Sequence, residues 1–249
     1  MSGELRIWGI EGLPEIEEGA ALGELIAARA ELSGGDVVVI SQKIVSKAEG
    51  QIRHLSAVIP GAKARKYAAV LGKEPALVEL ILEESAHVLR AERSVLIVET
   101  RHGFVCANAG IDSSNLRQPN SVCLLPEDPD ASARRIRAEI AAATGIQVGV
   151  VIADSFGRAW RLGQAEVAIG CAGLVPLDDW RGRTDAAGRE LEATLIAVAD
   201  EAASAADLVR DKASGVPAAV VRGLGHHVGA EDGPGAAALR RPREEDLFR

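Results

Sequence analysis

The sequence is poor in cysteine, lysine and aromatic residues, and each shortage narrows what the chain can be. Its three cysteines, Cys106, Cys123 and Cys171, are odd in number and far apart in apolar or small-residue settings. That pattern supports neither a disulfide framework nor a zinc site, and it suits a reducing compartment. Only six of the 28 basic residues are lysines, against 36 acidic residues, for a formal net charge of -8. A nucleic-acid partner calls for a basic surface, so that class is set aside, and local basic clusters must serve something smaller. No apolar run approaches the roughly 20 residues of a membrane helix, and no basic, apolar leader opens the chain. A soluble, cytoplasmic protein with no membrane partner is therefore expected. Standard nucleotide fingerprints are missing as well, both G-x-x-x-x-G-K-[ST] and a G-x-G-x-x-G that follows a strand and opens a helix. A phosphate site would have to be assembled from scattered parts.

What is present is 47% hydrophobic over 249 residues, with aromatics at only 3%, so a large core can form and must be mainly aliphatic. Strand patterns at residues 5–10, 36–40, 94–100, 103–107, 148–153, 166–177 and 217–221 alternate with helical ones at 20–32, 62–71, 75–85, 129–144 and 193–212. The mixture predicts an α/β fold of the α+β type over residues 1–249, one large domain or two interleaved subdomains. Arg134, Arg135 and Arg137 on the helix at 129–144 read as a solvated face. His102 reads as a hairpin-turn residue. His226 and His227 read as loop residues, since neighbours on extended backbone point apart.

The chain centres on residues 148–164, where a buried apolar run ends in Asp154 and Ser155, followed by Arg158 and Arg161. An acidic group leaving a buried strand holds a metal or a proton, or caps a turn; arginines nearby suit phosphate or carboxylate. Taken alone, the two readings stand level. Lys43 and Lys47 lie four apart, on one face of a predicted helical turn, beside the amide of Gln42 and directly after a strand. They form either an anion-binding face or a solvated one. The turn Gly12-Leu13-Pro14-Glu15 has exposed N–H groups that could touch a ligand. Residues 108–115 place Asp112 and Asn115 among small polar residues, which as an isolated turn is unremarkable and beside a second strand-end aspartate is not. Carboxylates with few other ligands are the setting magnesium and manganese use when phosphates complete their shells.

Five stretches in order, GLPE at 12–15, SQKIVSKAEG at 41–50, VETRHGFVCANAGIDSSN at 98–115, DSFGRAWRLGQ at 154–164 and PAAVVRG at 217–223, resemble the coenzyme F420-0:L-glutamate ligase family. The likeness spans nearly the whole chain. It implies a family-specific fold of mixed sheets with flanking helices, an intertwined homodimer, and a GTP-dependent reaction that joins L-glutamate to F420-0 and often extends the γ-linked tail. It also implies two divalent ions, Mg2+ or Mn2+, helped by K+. By the resemblance, Asp112 and Asp154 match carboxylates of the first metal, and Ser155 matches a hydroxyl ligand of the second, a shorter group than the usual Thr. Asp112, Asp154 and Arg158 are the expected catalytic residues. Gly12, Leu13, Pro14, Glu15, Gln42, Lys43, Lys47 and Asn115 match GTP-contacting positions. The family's late helix usually carries Gly followed by Gln or Lys, whereas this chain has Asp211-Lys212, so a lysine stands where Gln contributes to the second metal.

The implied chemistry suits the parts, because a carboxylate is inert to amines until it is converted to an acyl phosphate. Two rivals use the same residues: a two-metal phosphohydrolase, and a non-catalytic GTP-binding module. Glutamate-dependent release of GDP separates the ligase from both.

Overall fold

A computed structural model describes residues 3–210 and 213–247. In chain order it forms β1 (Arg6–Gly9), α1 (Leu22–Ala27), β2 (Val37–Ser41), α2 (Gln42–Ala48), β3 (Ile52–His54), α3 (Ala62–Leu71), α4 (Pro75–Glu83), β4 (Ser85–Glu92), β5 (Val95–Thr100), β6 (Val105–Ala107) and β7 (Ser121–Cys123). Then follow α5 (Pro129–Thr144), β8 (Gly149–Arg158), β9 (Arg161–Ala172), β10 (Asp178–Asp179), β11 (Leu195–Ile196), α6 (Val198–Asp207) and β12 (Ala218–Arg222). The architecture is mixed α/β, as the alternating patterns imply. Among the described residues no helix is long and apolar enough to cross a membrane.

The main sheet has the order β1-β12-β2-β8-β9, with β2 and β8 parallel and the other neighbours antiparallel. Its middle strands are apolar at consecutive positions because both faces are covered. Val38, Ile40, Val150 and Ile152 face Leu22 and Ile26 of α1, Ile44 and Val45 of α2, and Ile136 and Ile140 of α5. Val37, Val39, Val151 and Ala153, pointing the other way, face Val198, Ala199, Ala202 and Ala206 of α6. Each fully buried Val or Ile contributes about 1.5–3 kcal/mol, so the seven valines and isoleucines of these strands alone anchor the layers. The alanines of α6 let that helix lie close to the sheet. It begins later than the pattern predicts, because Leu195 and Ile196 pair with β10 first.

Helix α5 starts and stops where its sequence says. The Asp128 carboxylate accepts from the Ala131 N–H at 2.9 Å, Pro129 fills the first turn, and Gly145 ends the helix at φ 72°. The helix lies so near β9 that a Cβ on Gly170 would run into the Pro129 carbonyl, which explains the run of small residues there. Arg137 corrects the solvated-face reading. It is buried, donating from Nε to the Val148 carbonyl at 2.9 Å and from Nη1 to Asp232 at 2.7 Å, with further bonds to the Gly229 and Ala230 carbonyls. It clamps the glycine-rich segment after β12 onto the sheet.

Between α2 and α5 the chain leaves the main sheet and builds a second core. There α3 and α4 pack Ala64, Leu71, Val78 and Ile81 against Leu96 and Val98 of the sheet β4-β5-β6. β3 and β7 pair antiparallel at the insert's two ends. β4 escapes the sequence pattern, which assigns its first residue to a helix. It is an exposed edge strand with irregularities at Ser85/His87 and Val88/Arg90, so no clean alternation survives. All three cysteines are free and buried, and burial pushes the Cys106 and Cys171 thiols up to about 12 and Cys123 to about 11.

Candidate functional site

Strand β8 does not stop at Ala153, where its apolar run ends. It continues through Arg158 in a hairpin with β9, closed by Ala159 and Trp160, the latter at φ 58°. What stops is its neighbour: β2 pairs with β8 only as far as Ser41–Ala153. Asp154 and Ser155 are therefore the first residues of β8 with no β2 beside them, and the end of β2 opens a cleft of ≈ 430 Å³. Leu13, Pro14 and Glu15 form one wall, Lys43 and Lys47 of α2 a second, Asp112, Ser114 and Asn115 a third, and Glu166 and Arg210 a fourth.

The wall at α2 is held by short charge-assisted bonds. The Lys43 ammonium lies 2.6 Å from Asp112 Oδ2 and donates to the Ser114 hydroxyl at 2.7 Å and the Ser114 carbonyl at 3.0 Å, which engages all three of its protons. Lys47 donates to Glu15 Oε1 at 2.6 Å and to the Asn115 carbonyl at 3.4 Å. Burial alone raises the Asp112 carboxyl, but the Lys43 ammonium and the Ser114 N–H and hydroxyl outweigh it and hold the group below its ordinary range. The hydrogen bond from Lys47 holds Glu15 low in the same way. Asp154, half-buried behind the cleft wall, behaves oppositely. Burial, and then the negative charges of Glu166 and Asp112, push it up to about 7 against the pull of the Ser155 N–H.

The structure thus gathers Leu13, Pro14, Glu15, Lys43, Lys47, Asp112 and Asn115 around one cleft, with Asp154 and Ser155 behind it. Gly12 opens the turn at φ 71°, and its carbonyl accepts from Arg29 Nε at 2.6 Å. Gln42 is turned inward: it is buried, and its Oε1 accepts from the Ser46 hydroxyl at 2.9 Å. Arg158 and Arg161 are not brought to the cleft. Four residues of strand carry Arg158 roughly 13 Å past Asp154, to a tip where it donates to the Leu162 carbonyl at 2.7 Å. His226 and His227 sit on a 3-10 turn, not on extended backbone, so their ring centroids come to 3.9 Å. Asp211 and Lys212 lie outside the described residues.

Two residues of the cleft were invisible in the sequence patterns. Glu166 reads as a lone polar group opening an apolar strand, yet its Oε1 accepts from the Ser155 hydroxyl at 2.7 Å and its Oε2 from Arg210 Nη2 at 2.9 Å. Asp112, Asp154 and Ser155 supply only oxygen, the donor set of hard divalent cations such as Mg2+ and Mn2+. Burial and then the nearby negative charges of Glu166 and Asp112 raise Asp154, and a cation offsets both, so the residues fit the group. Among the described residues no three His, Cys, Asp or Glu side chains form a ready-made cage, so other oxygens would have to complete a shell.

Residues 11–223 match the F420-0:Gamma-glutamyl ligase family. The chain is 45% identical over 247 residues to the coenzyme F420:L-glutamate ligase of Methanothermobacter thermautotrophicus, covering 97% of each chain. It is 44% identical over 246 residues to that of Archaeoglobus fulgidus, covering 98% of this chain and 96% of the relative. To that of Methanocaldococcus jannaschii it is 42% identical over 229 residues, covering 92% and 90%. On this match, across nearly its whole length, the chain belongs to the F420-0:Gamma-glutamyl ligase family of enzymes.

Proposed function

We propose that the protein is a GTP-dependent ligase that adds L-glutamate to coenzyme F420-0 in coenzyme F420 biosynthesis, through an acyl phosphate. The observation that carries this reading is the cleft itself, where Lys43 and Lys47 stand on one helix face opposite Asp112, in a chain whose close relatives are named as such ligases. A terminal carboxylate oxygen of F420-0 attacks the γ-phosphorus of GTP and GDP leaves. The glutamate amine then attacks the acyl carbon, loses a proton and expels inorganic phosphate. Lys43 and Lys47 bind the phosphates, exchanging their present partners for them. Asp112 and Asp154, with Ser155, hold the divalent ions. When bound, those ions supply positive charge to the phosphoryl oxygens, with K+ assisting as the family resemblance implies.

Mass spectrometry of F420-0 incubated with GTP, Mn2+ and glutamate tests the proposal. A mass increase of one or more glutamyl residues is expected, together with GDP release that depends on glutamate. GDP release indifferent to glutamate would instead establish the phosphohydrolase, and GTP binding without turnover the binding module. We also propose a homodimer. The family resemblance carries this reading, and Leu162 at the hairpin tip, 97% exposed, is an apolar side chain that a second copy would cover. Sedimentation at micromolar concentration should give twice 26.0 kDa, and a single 26.0 kDa species would refute it.

A further inference from the structure

Ser155 and Glu166 are direct partners across β8 and β9, on the sheet face that α6 covers. Their side chains make a chain of hydrogen bonds: Ser155 Oγ donates to Glu166 Oε1 at 2.7 Å, and Glu166 Oε2 accepts from Arg210 Nη2 at 2.9 Å. The Glu166 and Arg210 side chains are 7% and 6% exposed. Nη1 of Arg210 also donates to the Pro217 carbonyl at 3.4 Å, at the start of β12. The backbone is tied down beside them. Ser204 Oγ of α6 donates to the Glu166 carbonyl at 2.8 Å, and the Ala168 N–H donates to Asp200 at 2.8 Å. Glu166 is therefore fixed by its strand, by α6 and by a buried guanidinium, and among the described residues the rotatable proton that it accepts is that of Ser155.

We infer that Glu166 is a positioning residue for the divalent-cation site: it takes the Ser155 hydroxyl proton, so that the oxygen meets a cation only as an acceptor. The inference rests on the proposed reading of Ser155 as a cation-facing hydroxyl. A hydroxyl has a single proton and rotates freely, and a cation is attracted only by its lone pairs. Both Glu166 oxygens accept, Oε1 from Ser155 and Oε2 from Arg210, so the Ser155–Glu166 bond runs from the hydroxyl to the carboxylate. Arg210 holds Glu166 in one rotamer, because a guanidinium only donates and so fixes Oε2 as an acceptor, leaving Oε1 turned to Ser155. A glutamine would change this. Its carbonyl cannot face Ser155 without aiming its NH2 at Arg210, and the opposite flip would turn the Ser155 proton away from Glu166's position, toward the cleft.

Calorimetric titration with Mn2+, with and without GTP, tests the role through binding and not turnover. In Glu166→Gln one site should weaken about ten-fold, the scale on which partners that orient metal ligands act. In the Ser155→Ala background the same substitution should cause no further loss, since the group it orients is gone. A ten-fold loss that persists in that background would overturn the inference by making Glu166 a ligand or a purely structural residue. Unchanged affinity in Glu166→Gln would overturn it as well. Should Glu166→Gln fail to fold, Glu166→Leu/Arg210→Met removes both charges and the acceptor together and carries the same two-background comparison. Wild-type protein that binds no Mn2+ under either condition would overturn the cation reading along with this role, whereas wild-type binding unaffected by Glu166→Gln would overturn the role alone.

Discussion

On the α2 side of the cleft Lys43 meets Asp112 at 2.6 Å, with side chains 16% and 41% exposed; on the α6 side Arg210 meets Glu166 at 2.9 Å, with side chains 6% and 7% exposed. The pairs are alike in charge and length and differ in surroundings. A pair with one partner still reached by water depends less on its mate, because Asp112 keeps part of its hydration and the cleft can rehydrate Lys43. In the interior each partner has given up that hydration and depends on the other, so losing one is costly. The exposed pair can therefore be opened by a ligand that offers Lys43 phosphate oxygens, and the buried pair cannot. One cleft thus has an exchangeable wall and a fixed one, and Asp154 feels the negative charge of both.

The largest effects should come from that central position and from the fixed wall. Asp154→Asn and Asp112→Asn are each expected to abolish ligation and weaken Mn2+ binding, and unchanged affinity for Mn2+ in both variants would sink the metal assignment. The fold should survive Asp154→Asn, since burial and its neighbours already disfavour the charge that is removed. Arg210→Met leaves Glu166 buried without its cation, and should lower the unfolding free energy by about 3 kcal/mol. For a chain of this size that is roughly 6–12 °C in melting temperature. Adding Glu166→Leu should restore most of it, because a neutral apolar pair asks for no counter-charge. A double variant as unstable as Arg210→Met would show that the guanidinium matters here for its packing and not for its charge.

The exchangeable wall was legible in the sequence and the fixed wall was not, and the reason is the range over which each is specified. Lys43 and Lys47 are one helical turn apart, so their shared face follows from local geometry once a strand-to-helix change is read at Ser41. Asp112 and Asp154 announce themselves as carboxylates leaving apolar runs. Glu166 instead depends on the register of a hairpin. Continuing a regular ladder down from the pair Arg158–Arg161 sets Ser155 opposite Gln164, but an irregularity between Gly157 and Arg158 shifts the partner to Glu166. The displacement is two residues, so it keeps the facing surface and changes only which side chain Ser155 meets, and no local pattern reports it. Arg137 was misread for a related reason: its helical period placed it near Arg134 on a polar face, while its partners lie in the segment after β12, about 90 residues on.

On the exchangeable wall the effects should be kinetic. Lys43→Ala and Lys47→Ala are expected to raise the KM for GTP about ten-fold, the loss of roughly 1.4 kcal/mol of charge-assisted contact. The KM for glutamate should move much less, and stability should fall by less than for Arg210→Met, since Asp112 and Glu15 stay open to the cleft when a lysine is lost. Steady-state kinetics with each substrate varied, beside urea denaturation, separates the two. An effect confined to glutamate would move the lysines to the amino-acid pocket. A stability loss matching that of Arg210→Met would erase the distinction between the walls.

The smallest effect is expected at Arg158, the one predicted catalytic residue that the fold carries away from both walls. Its guanidinium donates to the Leu162 carbonyl at 2.7 Å and reaches toward the Gly163 carbonyl at 3.4 Å, so its contacts close its own turn and face solvent. Substitutions at such surface positions usually change stability by no more than about 0.5 kcal/mol. Arg158→Ala should therefore leave the melting temperature nearly unchanged and the KM for GTP within about two-fold of wild type. A ten-fold rise, equal to that of Lys43→Ala, would mean that Arg158 reaches the phosphates after all. A single chain holds it roughly 13 Å of strand beyond Asp154. That result would make the tip a part of the neighbouring copy's cleft, and it could be checked by mixing Arg158→Ala with Asp154→Asn protein. If each copy lends its hairpin to the other, the mixture regains one intact cleft per heterodimer; if Arg158 serves its own chain, each Arg158→Ala subunit stays impaired and each Asp154→Asn subunit stays dead, and mixing restores nothing.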